Sequence, residues 1–180
     1  GMDHTCGIKT DNTLWCWGYS YYGQVGDGAQ NQIMTPKQIA TGFLRVSAQY
    51  YQTCGVKTDD TLWCWGSNSS GQLGDGTTTN RLSPVQAMSG VQNVFVGRYH
   101  VCSVKLDNSL WCWGANSLYQ LGDGSNIQRN YPVQVGSGFK SGASGDYQTC
   151  GIKLNDTLWC WGSNNTGQYG NGTTTRSVLP

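Results

Sequence analysis

Residues 4–18 read His4-Thr5-Cys6-Gly7-Ile8-Lys9-Thr10-Asp11-Asn12-Thr13-Leu14-Trp15-Cys16-Trp17-Gly18. Two short apolar runs flank a polar turn, the signature of a β-hairpin. A three-residue hairpin loop puts its last residue in the left-handed region. Asn12 stands there, and Asn and Asp are the non-glycine residues that tolerate it best. This register pairs Lys9 with Thr13, Ile8 with Leu14, Gly7 with Trp15 and Cys6 with Cys16. Counting outward from the loop, Cys6 and Cys16 form a non-hydrogen-bonded pair, whose Cα atoms lie about 4.5 Å apart. A disulfide spans that distance. Turn chemistry and cysteine spacing therefore select the same register.

The stretch recurs. Cysteines fall at 6, 16, 54, 64, 102, 112, 150 and 160, so each pair is offset by ten residues and the pairs step by 48. Trp15, Trp63, Trp111 and Trp159 keep that step, as do Gly18, Gly66, Gly114 and Gly162, and Pro36, Pro84, Pro132 and Pro180. The turn slot holds Asn12, Asp60, Asn108 and Asp156 in the four copies. A period of roughly 40 to 50 residues means a solenoid or a propeller. No segment carries a 3.6-residue apolar stripe, which excludes a helical solenoid.

The hairpin has two faces. Cys6, Ile8, Leu14 and Cys16 share one; Gly7, Trp15 and Trp17 share the other, where Gly7 is expected to leave room for the Trp15 ring. Apolar bulk on both sides means that both are covered, as in a propeller blade between its neighbours. After each hairpin come a Gly-x-x-x-x-Gly-Gln-Leu-Gly-Asp-Gly segment or a near copy, a polar stretch, Pro, and a short strand such as Val94-Phe95-Val96. The expectation is an all-β fold of four blades, each of about four antiparallel strands. The whole of 1–180 forms a single propeller region, with repeats at 1–36 (partial), 37–84, 85–132 and 133–180. The chain falls one strand short of four full units. It is read as an arc of a larger propeller, with closure by self-association through open blade edges, or alone as a four-bladed ring, as the alternatives.

Copy two runs Gln52-Thr53-Cys54-Gly55-Val56, Leu62-Trp63-Cys64-Trp65-Gly66, Asn68, Gly71-Gln72-Leu73-Gly74-Asp75-Gly76 and Pro84-Val85. In these residues the chain resembles the regulator of chromosome condensation repeat family, essentially over its whole length. The resemblance implies blades of a seven-bladed propeller. The family usually has His before the first hairpin strand; here His4 and His100 alternate with Gln52 and Gln148. The cysteine pair lies outside the general pattern, and Tyr119 replaces the glycine found at Gly23, Gly71 and Gly167. The nuclear member of the family exchanges guanine nucleotide on a small GTPase, and no segment here corresponds to an element for that task. A secreted bacterial β-lactamase inhibitor similar to such propellers, which uses loop aromatics, offers another precedent.

Composition narrows the function classes. The net charge is +1 and only 12% of residues are charged, so nothing steers the chain to nucleic acid, an anionic membrane or an acidic substrate. No run approaches the roughly 18 apolar residues of a membrane helix. Gly1 before Met2 looks like a cloning remnant in place of any leader. The ten-residue cysteine gap fits neither a zinc knuckle nor a redox Cys-x-x-Cys pair. Disulfides Cys6–Cys16, Cys54–Cys64, Cys102–Cys112 and Cys150–Cys160 are the expected pairing, implying an extracellular, periplasmic or cell-surface location. Gly74-Asp75-Gly76 and its copies lack the following helix and Lys of a phosphate loop, and the carboxylates of a calcium loop, and read as turns. The sequons at Asn68, Asn155, Asn164 and Asn171 are put down to an Asn- and Thr-rich composition. No metal, cofactor or catalytic set is indicated, and the chain is read as a non-enzyme.

The remaining candidates are residues that break the repeat or add aromatic surface. Tyr51, Tyr99 and Tyr147 recur just before the hairpin, with Asp3 in copy one; beside them Tyr50, Arg98 and Asp146 vary. A second variable cluster follows the Trp-Gly: Tyr19, Tyr21 and Tyr22 in copy one, Leu118 and Tyr119 in copy three. Tyr and Arg anchor protein interfaces. Tyr50, Arg98, Tyr22 and Tyr119 are expected to be exposed. Tyr51, Tyr99 and Tyr147 are expected to pack between blades, each hydroxyl on a backbone partner. The leading functional reading is a secreted or cell-surface module for an unknown protein ligand. A structural or adhesive spacer is the second, and a guanine-nucleotide exchange factor or an enzyme the third.

Overall fold

A computed structural model describes all 180 residues, which form four antiparallel sheets and no helix. The first sheet orders β1 (His4–Ile8), β2 (Leu14–Gly18) and β3 (Ile33–Ala40). The second holds β4 (Phe43–Gln49), β5 (Gln52–Lys57), β6 (Leu62–Gly66) and β7 (Arg81–Met88). The third holds β8 (Val91–Val96), β9 (His100–Lys105), β10 (Ser109–Gly114) and β11 (Arg129–Ser137). The fourth holds β12 (Phe139–Ser144), β13 (Gln148–Lys153) and β14 (Leu158–Gly162), with a single bridge from Gly162 to Ser177. These are blades of a propeller arc. The strands β4, β8 and β12 pack on one another from sheet to sheet and form its inner wall.

The hairpin register follows the turn chemistry. Cys6 faces Cys16, Cys54 faces Cys64, Cys102 faces Cys112 and Cys150 faces Cys160. All four pairs are disulfides, with Cα atoms 4.1 or 4.2 Å apart. Asn12, Asp60, Asn108 and Asp156 all have φ between +61° and +66°. The left-handed turn has a second use. It aims the carbonyl of Asn12 at the amide of Phe43 (3.0 Å), that of Asp60 at Val91 (2.9 Å) and that of Asn108 at Phe139 (3.1 Å). Each hairpin tip thereby anchors the first residue of the next blade's inner strand.

The prolines lie elsewhere than the sequence suggests. Pro36, Pro84 and Pro132 sit within the outer strands β3, β7 and β11, not ahead of a separate strand. These are edge strands with register shifts beside the proline, where a missing N–H is tolerated.

The core is three layers, each between two blades. Leu14, Cys16, Val25, Phe43 and Trp65 fill the first; Cys54, Leu62, Leu73, Val91 and Trp113 are among those of the second; Cys102, Leu110, Leu121, Phe139 and Trp161 occupy the third. In the first three blades the cysteine face of the hairpin therefore meets the next blade, and in the last three the Gly/Trp face meets the previous one. The glycine at the centre of that face makes room for a ring other than the expected one. A Cβ on Gly55 would lie 2.6 Å from the Phe43 ring, and one on Gly151 would lie 2.6 Å from Phe139. The ring comes from the blade's own inner strand, because Trp63 leans the other way, donating Nε1–H to Thr61 Oγ1 (2.8 Å) under the Lys57 ammonium.

Blades are keyed by polar links as well. Trp65 donates Nε1–H to the Gln24 carbonyl of the blade before (3.0 Å), and Trp113 does the same to Gln72 (2.9 Å). His4 Nε2 lies 2.8 Å from Thr53 Oγ1, whose hydroxyl donates to the Gln24 carbonyl (2.8 Å). His100, Thr149 and Gln120 repeat the arrangement two blades on. Where the histidine is replaced by Gln52, the next blade has Val101 for the threonine, and the Gln52 amide donates to the Gly97 carbonyl (2.7 Å).

Candidate protein-binding face

The turns from each inner strand to the next strand, and the loops that follow β2, β6 and β10, emerge at the same end of the blades, because His4 pairs with Gly18, Gln52 with Gly66 and His100 with Gly114. The hairpin tips lie at the opposite end. The glycine after each Trp strand fixes the geometry. Gly18, Gly66, Gly114 and Gly162 have φ between +92° and +107°. A side chain on Gly66 would strike the Tyr51 carbonyl at 2.4 Å. With no side chain there, Ser67, Ala115 and Ser163 each donate an amide to the carbonyls of Tyr51, Tyr99 and Tyr147, all at 2.8 Å. The recurring tyrosines are thereby pinned by their backbones, which leaves the rings free to be used.

Those rings join into one ridge across four blades. Tyr19 stacks on Tyr21 with centroids 6.4 Å apart; Tyr22 lies 4.9 Å from Tyr51; Tyr50 meets Tyr51 edge-on at 5.5 Å. Tyr50 then lies 6.4 Å from Tyr99, and Tyr99 lies 6.1 Å from Tyr147. Arg98 is set into the ridge, with its guanidinium 4.0 Å from the Tyr50 centroid and 4.9 Å from Tyr99. Asp146 Oδ2 sits 3.4 Å from its Nη1, a long contact between half-open partners. The Arg98 Nε is buried with no acceptor. Burial works against the Arg98 charge, but the neighbouring Tyr99 and Tyr50 outweigh it and hold its pKa above the ordinary value. Loss of water contact, then the neighbouring Tyr22 and Tyr51, raises the Tyr19 phenol, so it stays a neutral donor.

Tyr19 and Tyr21 are the most open members, at 39% and 59% exposure; Tyr22, Tyr50, Tyr51, Arg98, Tyr99, Asp146 and Tyr147 are half-buried. The recurring tyrosines do pack between blades, against one another at the surface and not on backbone partners. Tyr119 stands apart, with the Arg176 guanidinium 5.8 Å from its ring. Arg176 has no counterpart at its position in the other copies and carries no signal in the repeat. Two bulky residues hold left-handed backbone: Tyr50 at φ +50° and Tyr119 at φ +63°, the latter where the other copies use Gly23, Gly71 and Gly167. Such strain costs about 1–3 kcal/mol and gathers at functional sites.

The other polar candidates are occupied by the scaffold. Asp75 accepts from Thr77 N (3.0 Å), Thr77 Oγ1 (2.7 Å), Asn68 Nδ2 (3.2 Å) and Arg81 Nε (2.6 Å). Burial tends to raise its pKa, but the hydrogen bonds from Thr77 and Arg81 win and lower it. Asn68 and Asn164, two of the four sequon asparagines, are wholly buried and close their loops by accepting the amides of Leu73 and Tyr169. The disulfides fit an oxidising compartment, and no helix is long and apolar enough to cross a membrane.

Comparison with known proteins places this geometry. A family model described as the regulator of chromosome condensation (RCC1) repeat matches residues 1–24, 37–72, 91–120 and 139–168, and a second model of the same description matches 59–104 and 107–152. The fold is similar to that of human WBSCR16, with a TM-score of 0.89 at 19% identity over 99% of this chain and 50% of the other. It is similar to Prp20p from Saccharomyces cerevisiae, solved in a study of its binding to Gsp1p and histones, at 0.84 and 18% over 99% and 48%. A structure of Kap60 bound to yeast RCC1 (Prp20) gives 0.85 and 17% over 99% and 46%. The receptor kinase CR4 ectodomain from Physcomitrella patens matches at 0.56 and 19%, over 89% and 38%. The chain spans about half the length of the first three of these solved structures. No curated protein matches it at a significant level.

Proposed function

This chain belongs to the regulator of chromosome condensation repeat family, and we propose that it is a non-catalytic, secreted or cell-surface module that binds a protein through the tyrosine ridge. The observation that carries this reading is the ridge itself. Seven tyrosines and one arginine lie in continuous ring contact, on the turns and loops of one end of a rigid arc. Rigid, amphipathic rings around a half-desolvated arginine have the composition of an interface hot spot. Supporting precedents are family members whose structures were solved with Kap60 or studied for binding to Gsp1p and histones. Four disulfides favour an extracellular setting. The non-catalytic reading rests on where the reactive groups go: both histidines are buried against threonine hydroxyls, and the loop carboxylates close turns.

A plain spacer would vary only at solvated polar positions. Here the copies vary within the ridge, as Tyr50, Arg98 and Asp146 at one position. The test is capture from an extracellular fraction by the wild-type chain, by a Tyr50→Ser/Arg98→Ser/Tyr99→Ser chain, and by a Tyr131→Ser control on β11. A protein retained by the first and third and lost by the second supports the reading. Retention by all three counts against it.

A further inference from the structure

The tyrosine ridge is rich in hydrogen-bond donors and poor in groups to receive them. Of the ten tyrosines in the chain, only Tyr169, off the ridge, donates its hydroxyl to a protein acceptor, the Gly162 carbonyl at 2.7 Å. The seven ridge hydroxyls are therefore free to donate outward. Arg98 adds a guanidinium whose Nε is buried without an acceptor and whose Nη1 makes only the long 3.4 Å contact to Asp146. Asp146 and Asp3, the latter beside Tyr19, are the carboxylates of this face. An ordinary extended peptide brings one N–H for every carbonyl, and an N–H turned toward donors goes unpaired. Proline brings the carbonyl without the N–H. In a polyproline II helix none of those carbonyls is bonded internally.

We propose that the ridge takes a proline-rich segment in the polyproline II conformation, its rings lying on the tyrosine faces and its carbonyls accepting from the phenols and Arg98. The inference rests on the reading of the ridge as a protein-binding surface and names the class of segment that it binds. The spacing agrees. Successive rings from Tyr22 through Tyr51, Tyr50 and Tyr99 to Tyr147 step by 4.9–6.4 Å, about two residues each of a helix that rises roughly 3.1 Å per residue. A segment of about eight to ten residues therefore covers the ridge. Both partners are ordered beforehand: the turns by the 2.8 Å amide bonds to the Tyr51, Tyr99 and Tyr147 carbonyls, the ligand by its own pyrrolidine rings, which lowers the entropy lost on binding. A sugar chain also stacks on aromatic faces, but each of its hydroxyls brings a donor along with its acceptor, and only two carboxylates are here to receive them.

The probe is a fluorescently labelled decaproline peptide, titrated with the whole 180-residue protein and followed by anisotropy. It is expected to bind saturably, whereas a Gly-Ser peptide of the same length is not. A Tyr50→Ser/Tyr99→Ser chain is expected to bind decaproline at least about tenfold more weakly. A Tyr50→Phe/Tyr99→Phe/Tyr147→Phe chain keeps the rings and loses three donors; it is expected to bind roughly tenfold more weakly, and it carries the test if the serine chain does not fold. Three results overturn the proposal: no saturable binding of decaproline, equal binding by the phenylalanine chain, or binding of cellohexaose in place of decaproline, which would put a carbohydrate on the ridge. If decaproline fails while the Tyr50→Ser/Arg98→Ser/Tyr99→Ser chain still loses a captured protein, the proline assignment falls and the ridge reading stands. If that chain also retains the protein, both fall.

Discussion

The phenyl ring of Phe43 occupies the volume that a side chain on Gly55 would fill, with Cδ1 2.6 Å from the position of the missing Cβ. Phe139 and Gly151 repeat the pair; in blade three both partners change, to Val91 and Ser103. A smaller inner-strand side chain thus accompanies a larger residue opposite. Gly55→Ser is expected to destabilise the protein by about 1–3 kcal/mol, the usual cost of overpacking. Gly55→Ser with Phe43→Val should recover part of that loss. Thermal melts of the two variants decide it: equal melting points would remove the steric coupling.

Acid should loosen the joints between blades. Burial holds His100 to a pKa of about 3 and, with the nearby N-terminal charge, His4 to about 4, against about 6.5 in an unfolded chain. Thr149 and Thr53 each donate their one hydroxyl hydrogen to a carbonyl, so each imidazole donates from Nε2 and keeps a bare, buried Nδ1. As pH falls through 6.5 the unfolded chain gains protons that the folded chain does not, and stability present at higher pH is lost progressively down to about 3–4. Each histidine should cost on the order of 2 kcal/mol between pH 7 and 5. His100→Gln, which adopts the residue of Gln52 and Gln148, should flatten the urea midpoint against pH over that range. An unchanged slope would clear His100 of the effect.

Each disulfide closes a short loop; three of them lie in the inter-blade layers, and Cys150–Cys160 is half-buried on the outer face of the fourth blade. In the chain-entropy account, a loop of this size contributes roughly 3 kcal/mol. Cys54→Ala/Cys64→Ala should lose about that much, plus the packing of two buried sulfurs. Removal of the pair Cys6 and Cys16, of which Cys6 is only half-buried, should cost less. Denaturant titration of the two double variants gives the order; the reverse order would contradict the burial argument.

Strain at the candidate site should be separable from stability. Tyr119→Gly puts back the residue that the other three copies use at this left-handed position, and should raise stability by about 0.5–1 kcal/mol. Tyr50→Gly should likewise hold or raise stability while it breaks the ring contacts to Tyr51 and Tyr99 and uncovers Arg98. A lowered melting temperature for Tyr119→Gly would show that its contact with Arg176 outweighs the backbone strain.

The hairpins were fully legible in the sequence, because their determinants are local. Asn12 and Asp60 fix the turn, and the turn fixes which cysteines face each other. What escaped is what one blade does to the next. Gly7 reads as space for a cross-strand Trp15, but the ring that needs the space in the sister blades comes from a strand about a dozen residues upstream. The alternation of His100 and Gln52 is visible in the sequence, and its reason, a threonine or valine 49 residues later, appears only when blades are stacked. The ridge was half legible. Tyr50, Tyr51, Arg98, Tyr99 and Tyr147 stand out as repeat-breaking or recurring residues, and Tyr119 does too, but only the fold separates it from the others. The outer strands β3, β7 and β11 were hidden by their prolines, which are harmless at an edge.

The ridge is tested most directly by hydroxyl-radical footprinting of the chain alone and with a captured protein ligand. Tyr131, exposed on an outer strand, is an internal reference. The expected result is that Tyr19, Tyr50, Tyr99 and Tyr147 lose most of their labelling in the complex while Tyr131 keeps its own. Protection of Tyr131 with the ridge tyrosines still labelled would contradict the assignment of this face as the binding surface.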